Sequence, residues 1–474
     1  MSFSMWTKSR RDFLASAGRG FGAVAASSLL PEAFGASNPL APKTPPEPAR
    51  AKAVIYLYMH GGVSHVDTWD PKPELARLSG KTLPASFVKG LKTSRIDFTK
   101  ALARGSAWQF RKHGQSGLEI SDLFPNMASH ADELAMVRSC HGDAFDHAPA
   151  MYLHATGSQF PGKPSLGSWV TYGLGSENQN LPSFVVMTDG AMKCGPQGYG
   201  AGFLPAVYQG TMFRSGKSPV LDLANPEGIS EKTQRATLDL VGDLDRQHLA
   251  ERPFDSDLEA RLASYELAFR MQSEAPDAVD ISKETEATKR LYGIGEGLSD
   301  DFGRKCLLAR RLVERGVRFI HLYSGTHLGD DWDGAHNDLT GSHNKMAAKT
   351  DKPISGLLKD LQARGLSDST LVIWGSEFGR TPLAEGRNGR DHHPYAFSMW
   401  FSGAGVQGGR VLGATDEFGL RPVENPILSH DVNATILRML GLDHLKLTYF
   451  YQGRDMRLTD VHGENEFTKF LVNS

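Results

Sequence analysis

Short apolar segments alternate with longer amphipathic segments along most of the chain. The short ones are rich in β-branched and aromatic residues, which is typical of buried strands; they cover residues 53–59, 135–138, 183–187, 317–323, 370–374 and 399–401. The longer ones have apolar residues at helical spacing; they cover residues 230–275, 283–315, 357–361 and 429–441. Buried strands that alternate with helices predict an α/β fold with a largely parallel central sheet.

The chain shows no internal repeat and no break into two domains. Residues 190–280 are poor in strand-like segments, which predicts a helical insertion or cap over the edge of the sheet. Residues 37–50 are rich in Pro, Ala and Ser and are interpreted as a linker. We therefore predict one domain over residues 51–474.

The first 36 residues have the features of a targeting segment. Ser9-Arg10-Arg11-Asp12-Phe13-Leu14 is a twin-arginine signature, followed by a weakly apolar stretch and a region of small residues near Ala36. The alternative is an amphipathic helix with a chance arginine pair. The order of the three regions favours a signal peptide, so we expect export by the twin-arginine (Tat) translocase to the periplasm or the medium. No later stretch is apolar for the roughly twenty residues that a membrane span needs.

Composition excludes some functional classes. The formal net charge of −2 gives no basic field for nucleic acid. The three cysteines, Cys140, Cys194 and Cys306, form no close pair, so they indicate neither a disulfide framework nor a zinc–thiolate site. One bridge or three free thiols both remain open.

Acids and histidines follow several of the predicted strands. Asp333 and His336 come after strand 317–323, Glu377 comes after strand 370–374, and His392 lies in the glycine-rich loop beyond it. His60 ends the first strand. Carboxylates and imidazoles are ligands for divalent metals, and sites in parallel sheets form beyond the carboxyl ends of the strands. The sequence therefore predicts a metal site assembled from distant segments.

Four motifs carry a resemblance to a known family: His-Gly-Gly-Val-Ser-His-Val-Asp-Thr-Trp-Asp-Pro-Lys-Pro at 60–73, Pro-Ser-Leu-Gly-Ser-Trp at 164–169, Ser-Glu-Phe-Gly-Arg-Thr-Pro at 376–382, and Asp391-His392. The chain resembles the alkaline phosphatase and sulfatase superfamily, and most closely a twin-arginine-exported branch of it, domain of unknown function 1501. The resemblance covers about residues 50–470. It implies an alkaline-phosphatase-like three-layer sandwich and a divalent metal, zinc or calcium.

The resemblance also implies site residues. Asp333, His336 and His392 correspond to the Asp and the two His of the first metal site, although the family's Asp–His spacing is one residue longer. Glu377 is the strong ligand where the family holds a second metal. His60 stands where the family has an aspartate, and Asp67 could take that aspartate's role.

The nucleophile's position departs from the family pattern. The sulfatase motif that contains the cysteine or serine nucleophile is matched here by His147-Ala148-Pro149 and Thr156-Gly157. His147 therefore occupies the position of that nucleophile. A histidine at a helix N-terminus is expected to be neutral. Ser64 is a spare candidate nucleophile.

The function that follows is metal-dependent hydrolysis of sulfate or phosphate esters, on small molecules or polysaccharides. The attacking group would be a metal-activated water or His147. His147 or His65 would serve as acid or base, and Arg380 would stabilise an anionic oxygen. The alternative, favoured by the missing Ser or Cys nucleophile, is a non-catalytic metal-binding or assembly protein on the same scaffold.

Overall fold

The computed structural model describes residues 38–92, 95–214, 219–220, 223, 225, 227–251, 256–326 and 331–472. The signal peptide predicted at residues 1–36 lies outside the described residues. Residues 38–50 form no helix or strand, but they are tied to the domain by backbone hydrogen bonds. Lys43 N donates to Leu174 O at 2.9 Å and Glu47 N to Gly441 O at 3.1 Å.

The strands of the described chain are, in order, β1 (Ala53–Met59), β2 (Phe110–His113), β3 (Leu118–Ser121), β4 (Ala135–His141), β5 (Phe184–Thr188), β6 (Thr211–Arg214), β7 (Phe319–Ser324), β8 (Thr370–Gly375), β9 (Gly379–Arg380), β10 (His392–His393), β11 (Phe397–Ser402), β12 (Arg410–Leu412), β13 (Ala414–Thr415), β14 (Pro422–Glu424), β15 (Ile427–Leu428), β16 (Tyr449–Tyr451) and β17 (Arg454–Met456).

The α-helices are α1 (His65–Thr68), α2 (Pro73–Arg77), α3 (Ala85–Val88), α4 (His147–Thr156), α5 (Leu166–Leu174), α6 (Glu231–Glu251), α7 (Ser256–Val279), α8 (Glu286–Leu291), α9 (Asp300–Glu314), α10 (Leu339–Ala363), α11 (Ser429–Met439) and α12 (Thr468–Leu471). Short 3₁₀ helices cover Met127–Glu133, Gly195–Tyr199, Ala206–Tyr208, Ile281–Lys283, Gly297–Ser299, Trp332–His336 and Ser367–Ser369.

Nine strands form the main sheet, in the order β12-β4-β11-β8-β1-β7-β5-β6, with β15 also on β4. β11 runs antiparallel to both of its neighbours, and the other pairs are parallel. In the central pairs, Met59 of β1 lies opposite Ser324 of β7, and Tyr58 lies opposite Gly375 of β8. The carboxyl ends of these three strands are therefore level, and the residues that follow them meet at one edge.

The sheet is buried on both faces, because alternate side chains of each central strand enter different cores. Ile55 and Leu57 of β1 pack with residues of α9 and α10, such as Leu307. Val54 and Tyr56 pack in a second core with residues of α5 and α11. The fold is therefore a three-layer α/β sandwich with a largely parallel sheet, as predicted.

The six predicted strands and the helix from Ser429 are present. Helix α10 begins at Leu339, well before the predicted segment at 357–361, because Asp338 caps its first turn: the Asp338 carboxylate accepts a hydrogen bond from Gly341 N. Helices α6 and α7 lie within the region predicted as an insertion. The edge strand β6 was not predicted from the sequence, since its four residues have little apolar signal.

Candidate metal centre

Three strand ends and two further elements bring the candidate residues together. His60 follows β1, the 3₁₀ helix Trp332–His336 follows β7, and Glu377 follows β8. The two-stranded ribbon β9–β10 pairs Arg380 with His392, which returns His392 to the same edge. His147 is the first residue of α4, as the sequence predicted.

Gly61 allows two of these segments to touch. Its φ is 115°, a region that side chains disfavour. A Cβ atom at this position would lie 2.5 Å from the backbone nitrogen of Asp333. The neighbouring His60 carbonyl accepts a hydrogen bond from Trp332 N at 3.1 Å. The end of β1 and the Asp333 segment are therefore held in direct backbone contact.

The Asp333 carboxylate is the centre of a cluster that it forms with His147, His336 and His392, which we call the Asp333 cluster. Its Oδ1 lies 3.0 Å from His147 Nε2, 3.2 Å from His392 Nε2 and 3.3 Å from His336 Nε2. Burial raises the pKa of Asp333, but the contacts with these histidines outweigh burial and hold that pKa well below its usual range. The carboxylate therefore stays ionised and available as a ligand.

Asp333, His336 and His392 have donor atoms at the spacing of metal ligands. His336 Nε2 lies 2.8 Å from His392 Nε2, and both nitrogens face Asp333 Oδ1. Tetrahedral ligands about 2.05 Å from zinc are about 3.3 Å apart. Burial lowers the pKa of His392 to about 3, so its imidazole is neutral, as a ligand must be. These three residues could hold a divalent metal ion. The shorter Asp–His spacing in this chain still brings Asp333 and His336 together.

The ring orientation of His336 and His392 is fixed by partners of their Nδ1 atoms. His392 Nδ1 lies 2.7 Å from the carbonyl oxygen of Phe145, and His336 Nδ1 is paired with Glu385. Hydrogen bonds of this kind set the tautomer and the aim of a metal-binding imidazole.

Glu377 and His147 form a second set of donors, in which His147 contacts both Glu377 and Asp333. Glu377 Oε1 lies 2.6 Å from His147 Nδ1 and accepts a hydrogen bond from Gly61 N at 2.8 Å. Ser376 Oγ donates to the other oxygen of Glu377 at 3.1 Å. Burial raises the pKa of Glu377, but the bond to His147 and the charge of that ring keep it far below its ordinary value. Glu377 is a buried, ionised carboxylate.

Two carboxylates act against the neutral ring that the helix N-terminus favours for His147. Burial lowers the pKa of His147, but its contacts with Asp333 and Glu377 outweigh burial, and the net pKa is raised. The sequence argument considered only the helix terminus, which favours the neutral ring. The effect of two carboxylates at contact distance on the pKa of His147 is larger than that of the partial charge of a helix end.

His60 is buried beside this second set. Its ring centroid lies 6.4 Å from that of His147, and neither of its ring nitrogens has a hydrogen-bond partner among the described residues. Burial lowers the pKa of His60 while the nearby Glu377 and Asp331 raise it, and the net pKa is lowered. A buried neutral imidazole without a partner costs free energy, which fits a side chain that completes a site with a ligand.

Two cations contact Asp333, and they differ in exposure. Arg380 is fully buried; its Nη2 donates to Asp333 Oδ1 at 2.7 Å and its Nε to Gly62 O at 2.8 Å. Lys193 Nζ lies 2.7 Å from Asp333 Oδ2 and 3.1 Å from Asp331 Oδ2. Arg380 is committed to backbone carbonyls and to Asp333, so it orients the carboxylate. Lys193 is the cation better placed for an incoming anion.

Asp67 and His65 do not join the cluster, which corrects two predictions. Asp67 is fully buried in an ion pair: its Oδ2 lies 2.7 Å from Arg390 Nε and accepts from Ser64 Oγ at 2.5 Å. His65 Nε2 bonds to Gly419 O at 2.8 Å, and its ring stacks on His393 at 6.1 Å. Helix α1 turns both side chains towards the β9–β10 ribbon and the 416–420 loop. Because Ser64 donates to Asp67, it is also a poor candidate nucleophile.

Sequence reasoning missed Lys193, Asp331, Glu385 and Asp391. Asp391 belongs to a second group of mutually close donors, with His336 and His392. Asp331 and Asp391 had a signal in the sequence, since Asp331 is two residues before Asp333 and Asp391 is next to His392. Lys193 and Glu385 had none, because their roles depend on contacts with residues far away in the sequence.

No described helix combines the length and the hydropathy that a membrane crossing requires.

Comparison with solved structures gives low similarity. A sulfatase from Pseudoalteromonas sp., PsFucS1, shares 13% identity at a TM-score of 0.36, with 82% of this chain and 68% of that chain covered. The alkaline phosphatase of the Antarctic bacterium TAB5 shares 12% identity at a TM-score of 0.35, covering 83% and 99%. The lipoteichoic acid synthase LtaP of Listeria monocytogenes shares 8% identity at 0.37, covering 88% and 78%. We draw no conclusion about chemistry from similarity at this level.

None of the curated proteins matches the chain. Residues 51–467 match the family described as "Protein of unknown function (DUF1501)". That match includes every residue of the Asp333 cluster, and it agrees with the resemblance carried by the sequence motifs. The chain belongs to the DUF1501 family.

Proposed function

We propose that the protein is a metal-dependent hydrolase of sulfate or phosphate esters. One observation carries the proposal: the ionised Asp333 carboxylate is surrounded by His147, His336 and His392, each with a ring nitrogen 3.0–3.3 Å from the same oxygen. A structural ion pair needs one partner; three imidazoles around one carboxylate oxygen are typical of a metal centre.

Asp333, His336 and His392 would hold the metal, and zinc suits this N/O donor set better than calcium, which prefers oxygen ligands. Glu377 and His60 are the remaining donors for a second ion. A bound metal would supply Lewis-acid polarisation of an ester oxygen and a water of low pKa.

His147 would carry the proton chemistry. Glu377 fixes its Nδ1, so its Nε2 points to the Asp333 side of the cluster. The two carboxylates raise the pKa of His147, so the protonated ring would donate a proton to a leaving oxygen; as a neutral ring it would accept one or act as the nucleophile.

Lys193 would hold the anionic part of the substrate. Its ammonium already contacts two carboxylates at the cluster, and its side chain keeps 12% exposure. When a metal compensates the charge of Asp333, that ammonium is available for a sulfate or phosphate oxygen. The rest of the substrate is proposed to be a small molecule or a polysaccharide.

The second candidate function is a non-catalytic metal-binding or assembly protein. It is favoured by the residue at the start of α4, where sulfatases have a serine or cysteine and this chain has His147. The two functions share the metal centre and differ only in turnover.

The test combines metal analysis with an ester screen. Purified mature protein should bind zinc, and turnover of 4-nitrophenyl sulfate, 4-nitrophenyl phosphate or bis(4-nitrophenyl) phosphate should depend on it. Asp333→Ala and His392→Ala should lose both metal and turnover. His462→Ala removes an exposed histidine and is the matched control. Stoichiometric zinc without turnover of any ester would favour the scaffold function, and no zinc would refute both.

We also propose export through the twin-arginine translocase, with the periplasm or the medium as destination. The support is the Ser9-Arg10-Arg11-Asp12-Phe13-Leu14 motif. Replacing both arginines by lysine should leave the full-length protein in the cytoplasm, as cell fractionation would show. Continued export of that variant would contradict the proposal.

A further inference from the structure

A large cavity lies outside the metal-ligand cluster, between the insertion and helix α9. It has a volume of about 1750 Å³ and is lined by residues of β6, α7, α8 and α9. None of the residues of the Asp333 cluster lines it. Its apolar wall is formed by Val220, Leu223, Phe269, Val279, Ile281 and Leu308.

Five cationic side chains also line the cavity, and they fall into two groups. Three have carboxylate partners: Lys289 with Glu286 at 2.8 Å, Arg304 with Asp300 at 2.9 Å, and Lys305 with Asp301 at 3.1 Å.

The other two cations differ. Neither Arg214 nor Arg270 has a carboxylate within 4.0 Å among the described residues, and the Arg270 side chain bonds only a backbone carbonyl, that of Glu266, at 3.3 Å. A guanidinium group can donate two parallel hydrogen bonds to the oxygens of a carboxylate, sulfate or phosphate.

The four acidic residues of the lining do not neutralise the charges of Arg214 and Arg270. Glu286 and Asp301 are paired with lysines, and Asp280 accepts a hydrogen bond from Ser282 N at 2.9 Å. Glu231 lies in the first turn of α6, where the positive end of the helix favours a carboxylate.

We propose that this cavity is a second ligand site, which takes an amphipathic anion. The apolar part of the ligand, such as an acyl chain, lies against the apolar wall that includes Val220 and Leu308. Its carboxylate or sulfate head is held by Arg270, and Arg214 is a second cation of the same lining. Ligand sites of this kind combine a mostly apolar wall with a few charged groups that fix orientation.

The test uses decanoate as the probe and calorimetric titration of the full mature chain. Decanoate should bind at one site, and 1-decanol should bind at least tenfold more weakly because it lacks the charge. Arg270→Leu should weaken decanoate binding at least tenfold. Arg246→Leu is the matched control, since Arg246 is exposed on α6, pairs with Asp243 and does not line the cavity.

Ser273→Trp provides a second variant that keeps every charge. Ser273 is an exposed lining residue, so a tryptophan there fills the cavity without entering a core. Decanoate binding should be lost, while zinc affinity at the Asp333 cluster should stay within twofold. The cavity site does not depend on the metal centre, so failure of the ester screen would not contradict this proposal.

Three results would overturn it: no saturable binding of decanoate, equal binding of decanol, or unchanged binding in both variants. Vesicles containing phosphatidylglycerol distinguish a free anion from a lipid surface. Sedimentation of the protein with these vesicles, without binding of decanoate, would also contradict a cavity site.

Discussion

Replacement of Asp67 by asparagine tests whether this residue is structural. Asp67 and Arg390 are both fully buried, and two of the guanidinium nitrogens contact the carboxylate, at 2.7 and 3.2 Å. Removing one partner of a buried ion pair leaves the other charge uncompensated, which costs about 3–5 kcal/mol. Asp67→Asn should therefore lower the free energy of unfolding by that amount and leave zinc affinity unchanged.

The size of the effect in a melting experiment follows from the size of the domain. Unfolding entropy near 60 °C is about 2.1 cal/mol/K per residue, or about 0.9 kcal/mol/K for a domain of this length. A loss of 3–5 kcal/mol then lowers Tm by about 3–6 °C. Melting should be followed by circular dichroism with a chelator present, so that bound metal does not alter the result.

Two controls isolate the ion pair. Asp122→Asn removes an exposed carboxylate 3.5 Å from Arg111, and a surface pair of this kind contributes about 1 kcal/mol or less. The double variant Asp67→Leu with Arg390→Met removes both buried charges and should recover much of the lost stability. If Asp67→Asn kept its Tm but lost zinc, Asp67 would be a metal ligand and our structural assignment would be refuted.

Three further predictions concern the same region. Burial raises the pKa of Asp67, but Arg390 and Ser64 outweigh burial and the net pKa is lowered. The stability that Asp67 contributes is therefore full above its unfolded pKa of about 3.9 and is lost as pH falls through the lower folded pKa. The difference in unfolding free energy between the protein and Asp67→Asn should be constant from about pH 5.5 to 8 and shrink below about pH 4. A difference unchanged at pH 3 would contradict this. Glu385→Gln should weaken zinc binding about 10–100-fold in a chelator competition, because the Glu385 carboxylate orients His336; an unchanged affinity would show that orientation does not matter here. Lys193→Met should raise KM for an anionic ester more than it lowers kcat, and an effect on kcat alone would remove Lys193 from substrate binding.

The sequence determined the architecture because the signals that define it are local. Continuous apolar runs such as 53–59 and 370–374 fit only buried strands, and both are strands in the structure. Asp333 and His336 follow the strand predicted at 317–323 and Glu377 follows the strand predicted at 370–374, so a parallel sheet places all three at one edge. The start of a helix at His147 came from the resemblance to sulfatases, and the structure has it.

Tertiary structure alone decided the partners of the charged groups. Asp67 lies after a strand end, as Asp333 and Glu377 do, yet the turn of α1 directs it to Arg390, 323 positions away. The Lys193 side chain reaches Asp333 across 140 positions, and no local pattern marks it. The pKa of His147 follows the same rule, because the two carboxylates that raise it are brought into contact only by folding, whereas the sequence shows only the helix end. Periodic burial can be predicted from neighbours in sequence, whereas an electrostatic environment depends on neighbours in space.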